Sequence, residues 1–225
     1  GGRLLISGKT GLWDTDFNPL DNFILSDLMG VSFTKLHTEY AQNTWSSYIK
    51  KTPDSSFNGI FDRTTPPVSD FFIEAECTDA HPEFTFVLPC TPADWVNWWS
   101  PPPGTETAYP ALTINQYNNG SVVYTAFDLF TMAAEESYRT TGDLFKQITE
   151  KLNIKPVLRN ITDIPNILRT AYFEKDDCYQ IHQVSLMAHQ FKADVAAVNG
   201  GVISVSTPIK EATVIYPEHK NLPIT

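Results

Sequence analysis

The sequence has little positive charge and no long apolar run. Its 225 residues include 16 lysines and arginines against 26 aspartates and glutamates, a formal net charge of −10. A chain without a basic stripe cannot neutralise many phosphates, so this balance argues against a nucleic-acid partner. No apolar run approaches the ~18 residues that a membrane span needs, which argues against a membrane partner.

The chain contains 3 cysteines, too few for a closed disulfide framework. Cys77 and Cys90 end two predicted strands, Phe71–Cys77 and Phe84–Cys90, which the turn at residues 79–82 would join as a hairpin. In such a hairpin Cys90 lies ~20 Å from the turn, well beyond the ~7 Å that a disulfide tolerates between Cα atoms. We therefore expect free, buried thiols.

Metal and cofactor motifs are also missing. None of the 5 histidines belongs to an H-x-x-H or H-E-x-x-H pattern. Gly8–Gly11 lacks the first glycine of a phosphate loop, and Asp14–Asn18 is followed by Pro19 where a calcium loop needs glycine. We therefore expect no metal and no cofactor, and we interpret Asp14–Asn18 as a solvated turn before a helix.

A hairpin at Pro110–Asp128 is the clearest local structure. Pro110–Tyr117 and Ser121–Asp128 are rich in β-branched and aromatic residues, and Asn119-Gly120 between them favours a tight turn. The second run is almost entirely apolar, which is typical of a strand covered on both faces. Asp128 follows that strand, where α/β folds place functional side chains; capping of the next turn is the alternative.

The remaining pattern predicts two domains. Leu4–Ser7 is a strand of the buried type, and apolar spacing predicts helices at Pro19–Met29 and Thr141–Leu152. Residues 1–153 are therefore interpreted as an α/β domain with a largely parallel sheet that contains both Leu4–Ser7 and Ser121–Asp128.

Residues 154–225 change to short strands separated by turn residues. These strands predict a small all-β antiparallel sandwich. They are Ile167–Phe173, Cys178–Met187, Lys192–Val198, Gly201–Ser206 and Glu211–Tyr216.

Three tryptophans stand close together before a run of prolines. Trp95, Trp98 and Trp99 lie in a segment that ends in Pro101-Pro102-Pro103. Such rings can stack on sugar faces, dock against another chain or fill a local core. With Asp128, they are the candidate sugar-contact or interface residues of the chain. We identify no catalytic residue.

Three stretches resemble the C-terminal part of glycoside hydrolases related to family 42 β-galactosidases. Gly1–Gly11, with Leu28-Met29-Gly30-Val31 after it, is similar to a glycine–strand–glycine segment and helix end of that family. Pro110–Tyr124 looks like its proline-led hairpin, and the tail from Ile164 to Glu218 is similar to its closing sandwich. The resemblance implies a partial flavodoxin-like (class I amidotransferase-like) trimerisation domain followed by a β-sandwich.

Two departures limit what the resemblance implies. The cysteine elbow of true amidotransferases is absent, and Asp128-Leu129-Phe130 stands where their His-x-Glu pair would follow the hairpin. An activated thiolate and its base are thus both missing. The barrel that carries the two carboxylates of a glycosidase is not in this chain either.

We therefore interpret the chain as a non-catalytic assembly or substrate-shaping portion of a β-galactosidase-like glycoside hydrolase. Its expected partners are the remainder of its own enzyme, as an upstream segment or second chain, identical chains in a homo-oligomer, and carbohydrate. Because the chain opens on a buried-type strand at Gly1-Gly2, we do not expect it to stand alone as a complete fold. The alternatives are a carbohydrate-binding or cell-surface module that uses Trp95–Trp99, and an independent hydrolase with an unrecognised carboxylate pair. Either a cytoplasmic or a secreted location fits.

Overall fold

The computed structural model describes residues 1–39, 47–68, 71–91, 101–132, 139–155, 157–160, 168–176, 178–185, 202–216 and 219–224. The chain forms two compact units, Gly1–Ile154 and Lys155–Thr225. The described helices are α1 (Ser26–Met29), α2 (Leu129–Thr131) and α3 (Arg139–Lys151), and none of them is long and apolar enough to cross a membrane. The described strands are β1 (Arg3–Ser7), β2 (Val31–His37), β3 (Ser47–Lys51), β4 (Pro67–Val68), β5 (Phe72–Cys77), β6 (His81–Pro89), β7 (Pro103–Tyr117), β8 (Gly120–Thr125), β9 (Leu158–Asn160), β10 (Leu168–Lys175), β11 (Cys178–Ser185), β12 (Ile203–Val205), β13 (Thr213–Val214) and β14 (Lys220–Asn221).

A six-stranded sheet forms the centre of the first unit, in the order β1-β8-β7-β6-β3-β4. β1 and β8 are parallel neighbours, with Leu5 beside Val123, so their predicted placement in one sheet is confirmed. Every other neighbouring pair of this sheet is antiparallel. The expectation of a largely parallel sheet is therefore wrong. One physical reason is the two-residue turn between β7 and β8, which must reverse the chain.

The predicted hairpin is confirmed as the pairing of β7 with β8. Tyr117 lies opposite Gly120, so the turn consists of Asn118 and Asn119, one residue earlier than the Asn-Gly pair suggested. Asn118 has a φ of 50°, a conformation that asparagine tolerates better than most residues. Val122, Val123 and Tyr124 are all buried, which fits a strand that is covered on both faces.

A second, two-stranded sheet replaces another predicted hairpin. β5 pairs with β2, whereas β6 pairs with β3 and β7, so the two cysteine-ended strands belong to different sheets. The hairpin prediction was wrong because residues 78–80 bond elsewhere: the N–H groups of Thr78 and Ala80 both donate to the carbonyl of Gly30. That carbonyl holds the chain away from a tight turn.

The first predicted helix is much shorter than its apolar spacing suggested. α1 begins at Ser26 rather than at Pro19. The N–H groups of Leu20 and Ile24 donate to the carbonyls of Leu12 and Gly11, at 2.9 Å each, so they are not free for helical bonds. By contrast α3 closely matches its prediction; Leu144, Ile148 and Leu152 are buried on one face.

The cysteine prediction is half right. The three thiols are free, but Cys77, Cys90 and Cys178 are exposed rather than buried. Each lies at or next to the end of a strand, where the side chain reaches water.

The described strands of the second unit form three antiparallel pairs. These are β10 with β11, β12 with β9, and β13 with β14. β9 and β14 are additions to the predicted set, and the predicted strand Lys192–Val198 lies outside the described residues.

Gly30 offers a test of this architecture. It ends α1 in the left-handed region, with a φ of 66°, and a β-carbon there would lie 2.7 Å from the Ala80 nitrogen. We expect Gly30→Ala to lower the free energy of unfolding in urea by about 2–4 kcal/mol, as strain and overlap add.

Gly59 is the matched control, because it has a φ of 75° but nothing within 4 Å of its added β-carbon. Gly59→Ala should lower the free energy of unfolding by about 1–2 kcal/mol, because it adds backbone strain without overlap. Equal losses of unfolding free energy in the two variants would contradict the close approach of Gly30 to Ala80.

Candidate functional site

Three of the four candidate site residues cannot be placed. Trp95, Trp98 and Trp99 lie outside the described residues, so their role in sugar or interface contact stays a prediction. Asp128 is described, and it lines an open groove of about 550 Å³ at the carboxyl ends of β1 and β8. Ligands of α/β folds bind at the carboxyl ends of parallel strands, which makes this groove the place to examine.

The groove combines an apolar lining with few polar groups. Leu25, Phe71 and Phe130 contribute apolar surface beside the strand β1. The amino group of Lys9 lies 4.1 Å from the centre of the Phe71 ring, a cation–π contact that holds the lysine at the wall. The other lining residues are Leu4, Leu5, Ile6, Ser7, Gly8, Thr10 and Asp128.

The hydroxyl of Ser7 is fully occupied by structural hydrogen bonds. It donates to the carbonyl of Phe127 at 3.0 Å and accepts from the Thr125 hydroxyl at 3.1 Å. It also accepts from the N–H of Leu129 at 3.0 Å. These bonds connect the end of β1 to the segment that follows β8. The hydroxyl of Ser7 therefore has a structural role.

The carboxylate of Asp128 caps α2. One oxygen accepts from the N–H of Thr131 at 3.0 Å and the other accepts from its hydroxyl at 2.8 Å. The alternative that Asp128 caps the following turn is therefore what the structure contains. Among the residues that line the groove it is also the one carboxylate, whereas glycoside hydrolysis requires a pair.

A polar cluster that sequence reasoning missed lies where β2 meets β5. The Nδ1 atom of His37 is 2.7 Å from Glu39, and its Nε2 atom is 2.8 Å from Glu74. The ring stacks on Phe72 with centroids 4.4 Å apart and is buried. His37 ends β2 and Glu39 follows two residues later; in a strand that spacing places side chains on one face, and it is the signal that could have found them.

This cluster joins the end of β2 to β5. Each ring nitrogen of His37 lies within hydrogen-bonding distance of a glutamate side chain. Partial burial opposes ionisation of Glu39. A backbone hydrogen bond, His37 and Lys35 outweigh that effect and lower the pKa of Glu39 from 4.5 to about 2. Glu39 therefore stays charged at any moderate pH.

Comparison with known proteins places the fold among glycoside hydrolases. No protein-family model and no curated sequence matches the chain. The structure of α-L-fucosidase isoenzyme 2 from Paenibacillus thiaminolyticus is similar with a TM-score of 0.63 and 14% identity, over 99% of this chain and 33% of that chain.

Two β-galactosidases are also similar. For the E323A catalytic mutant of Gan42B, a GH42 β-galactosidase from G. stearothermophilus, the TM-score is 0.57 at 14% identity, over 98% of this chain and 26% of that one. For the β-galactosidase from Bacillus circulans sp. alkalophilus, the TM-score is 0.54 at 16% identity, over 80% of this chain and 22% of that chain. The chain thus has a glycoside hydrolase-related fold and spans between 22% and 33% of the length of these three enzymes.

The lowered pKa of Glu39 predicts a pH dependence of stability. Its contribution is fully present above the unfolded pKa of 4.5 and is lost as the pH falls toward about 2. Because the side chain is 48% exposed, we expect a loss of no more than about 1 kcal/mol. The measurement is urea unfolding of the wild type and of Glu39→Gln at a series of pH values between about 5 and 2. The free energy of unfolding of Glu39→Gln should fall less over this range, because the contribution of Glu39 is already absent.

Glu106→Gln is the control, since Glu106 pairs with Lys50 and is 65% exposed. It should change the pH profile less than Glu39→Gln does. A Glu39→Gln profile that runs parallel to the wild-type profile would contradict the cluster as described.

Proposed function

We propose that this chain is a non-catalytic portion of a β-galactosidase-like glycoside hydrolase, and that it supplies assembly surface and one wall of a sugar site. The observation that carries the proposal is the likeness of nearly the whole chain to about a quarter to a third of glycoside hydrolase chains. A segment that forms only part of such enzymes is expected to support a catalytic domain that lies elsewhere.

The groove chemistry supports the same proposal. Ser7 and Asp128 are the hydroxyl and carboxylate best placed for chemistry, and both are engaged in bonds that hold the backbone. Neither has an adjacent general base among the residues that line the groove. A surface of this kind can contact a sugar or a neighbouring chain without transforming either.

In finer detail we propose that residues 1–153 are a partial and strongly modified flavodoxin-like (class I amidotransferase-like) trimerisation domain, and that residues 154–225 are its β-sandwich. The parallel pair β1 and β8 is the part of the first unit that agrees with such a domain. The antiparallel pairs of the second unit agree with a sandwich.

The free edge of β1 supports assembly with another segment. The carbonyl of Gly2 accepts from Ser121 and the N–H of Gly8 donates to Thr125, so the even-numbered residues between them bond to β8. The backbone groups of Arg3 and Leu5 then face away from β8, and β8 is the one strand paired with β1 in the described sheet. We propose that the remainder of the enzyme, or an identical chain, covers this edge.

The first test is for turnover. The purified chain should hydrolyse neither an aryl β-galactoside nor glutamine, because the described groove lacks a nucleophile with a base. Robust hydrolysis that a single Asp or Glu substitution abolishes would overturn the non-catalytic reading.

The second test is for association through the edge of β1. Analytical ultracentrifugation over a wide concentration range should detect self-association, since Leu4 is 38% exposed on that strand. Leu4→Asp should weaken association by about tenfold or more, because it places a charge in an apolar contact.

Val184→Asp is the matched control, because Val184 is an exposed strand residue of the second unit. It should leave association unchanged. A cooperatively unfolding monomer that binds no hydrophobic dye at any concentration would reject the assembly role.

A further inference from the structure

The loop after β1 forms a narrow, ordered projection, which we call the Phe17 loop (Leu12–Leu20). The N–H of Leu20 donates to Leu12 at 2.9 Å, and the N–H of Asp14 donates to Asn18 at 3.0 Å. Between these bonds Trp13 and Pro19 form an isolated bridge. Leu12 is buried, so the base of the loop is anchored in the core while its tip extends outward.

The tip is held by the side chain of Asp14. Its Oδ1 atom accepts from the N–H groups of Asp16 and Asn18 at 2.9 and 2.8 Å, and its Oδ2 atom accepts from the Asn18 amide at 3.0 Å. The bond from the Asn18 side chain, followed by the backbone bonds, lowers the pKa of Asp14. The ionised carboxylate therefore keeps one tip conformation near neutral pH.

Phe17 stands at this tip in an uncommon conformation. Its φ is 61°, in the left-handed region where a bulky residue is a genuine outlier. Its side chain is nevertheless 86% exposed, so burial in the core does not explain the conformation. A strained backbone that presents an aromatic ring to water is the combination expected of a binding element.

Other exposed apolar side chains accompany Phe17. Trp13 is 37% exposed on the same loop, and Ile24, just beyond it, is 64% exposed. One exposed apolar residue is ordinary in a soluble protein, but aromatic rings on a rigid loop are typical of interface anchors. The rigid tip lowers the entropy lost on binding.

The charges around the loop define what it can bind. Asp16, Asp21 and Asp27 are exposed, and the stretch from Leu12 to Met29 contains no lysine or arginine. Anionic lipid surfaces and nucleic acid would be repelled. A second copy meeting the loop with its own loop would bring like charges together.

We propose that the Phe17 loop is a docking element for a partner protein whose surface offers an apolar pocket with a rim of lysine or arginine. Phe17 enters the pocket, and Asp16 and Asp21 face the rim. The inference rests on the loop alone and does not depend on the glycosidase assignment.

The experiment selects ligands from a random 12-residue peptide library against the purified chain, with counter-selection on Phe17→Ala. Synthetic copies of the selected peptides are then measured by calorimetry at low and high salt. We expect apolar peptides with lysine or arginine, whose affinity falls by about tenfold or more in Phe17→Ala. Asp16→Asn/Asp21→Asn should weaken binding at low salt and reduce its salt dependence.

Phe173→Ala is the matched control, since Phe173 is an exposed aromatic residue of β10 in the second unit and does not line the groove. It should bind the same peptides with unchanged affinity. Circular dichroism of each variant confirms that a loss is not due to unfolding. The proposal is overturned if no peptide depends on Phe17, if the selected peptides are acidic, or if galactose or lactose binds in a Phe17-dependent way instead.

Discussion

A column of aromatic rings holds the first unit together. His37 stacks on Phe72 at 4.4 Å, Phe72 meets Phe86 at 4.7 Å, and Phe86 meets the edge of Phe127 at 6.4 Å between ring centroids. The column crosses from the sheet of β2 and β5 into the six-stranded sheet. Each contact adds about 0.5–1.5 kcal/mol beyond burial of area, so the two sheets depend on it for their relative position.

Phe127, the last ring of this column, also holds residues of the groove in position. Phe127 places its ring in the core, while its carbonyl accepts from the hydroxyl of Ser7. The next residue, Asp128, caps α2. The polar groups at the carboxyl ends of β1 and β8 thus join two strands and a helix. Displacing such a group is costly, because a buried donor left without a partner loses about 1–3 kcal/mol.

Local patterns predicted local structure well and long-range pairing poorly. The Asn-Gly signal found the hairpin of β7 and β8, and helical spacing found α3, because turn chemistry and amphipathic period act within a few residues. The partner of β5 depends on the carbonyl of Gly30, which is far from residues 78–80 in the sequence, and the start of α1 depends on the carbonyls of Gly11 and Leu12, which lie outside the helix. At the site, the capping alternative predicted for Asp128 is what the structure contains, whereas the bond from His37 to Glu74 spans 37 positions and leaves no local pattern.

The segment that follows β1 contributes residues to two separate surfaces, the groove and the tip of the Phe17 loop. At its first residues, Gly8 and Lys9, the backbone is tied to β8 and the lysine lies on Phe71, so this part belongs to the groove wall. A few residues later Phe17 projects on a turn that Asp14 orders by itself. Because separate bonds hold the two parts, substitutions at the tip need not disturb the groove, and loops anchored this way can change their partners while the sheet is kept.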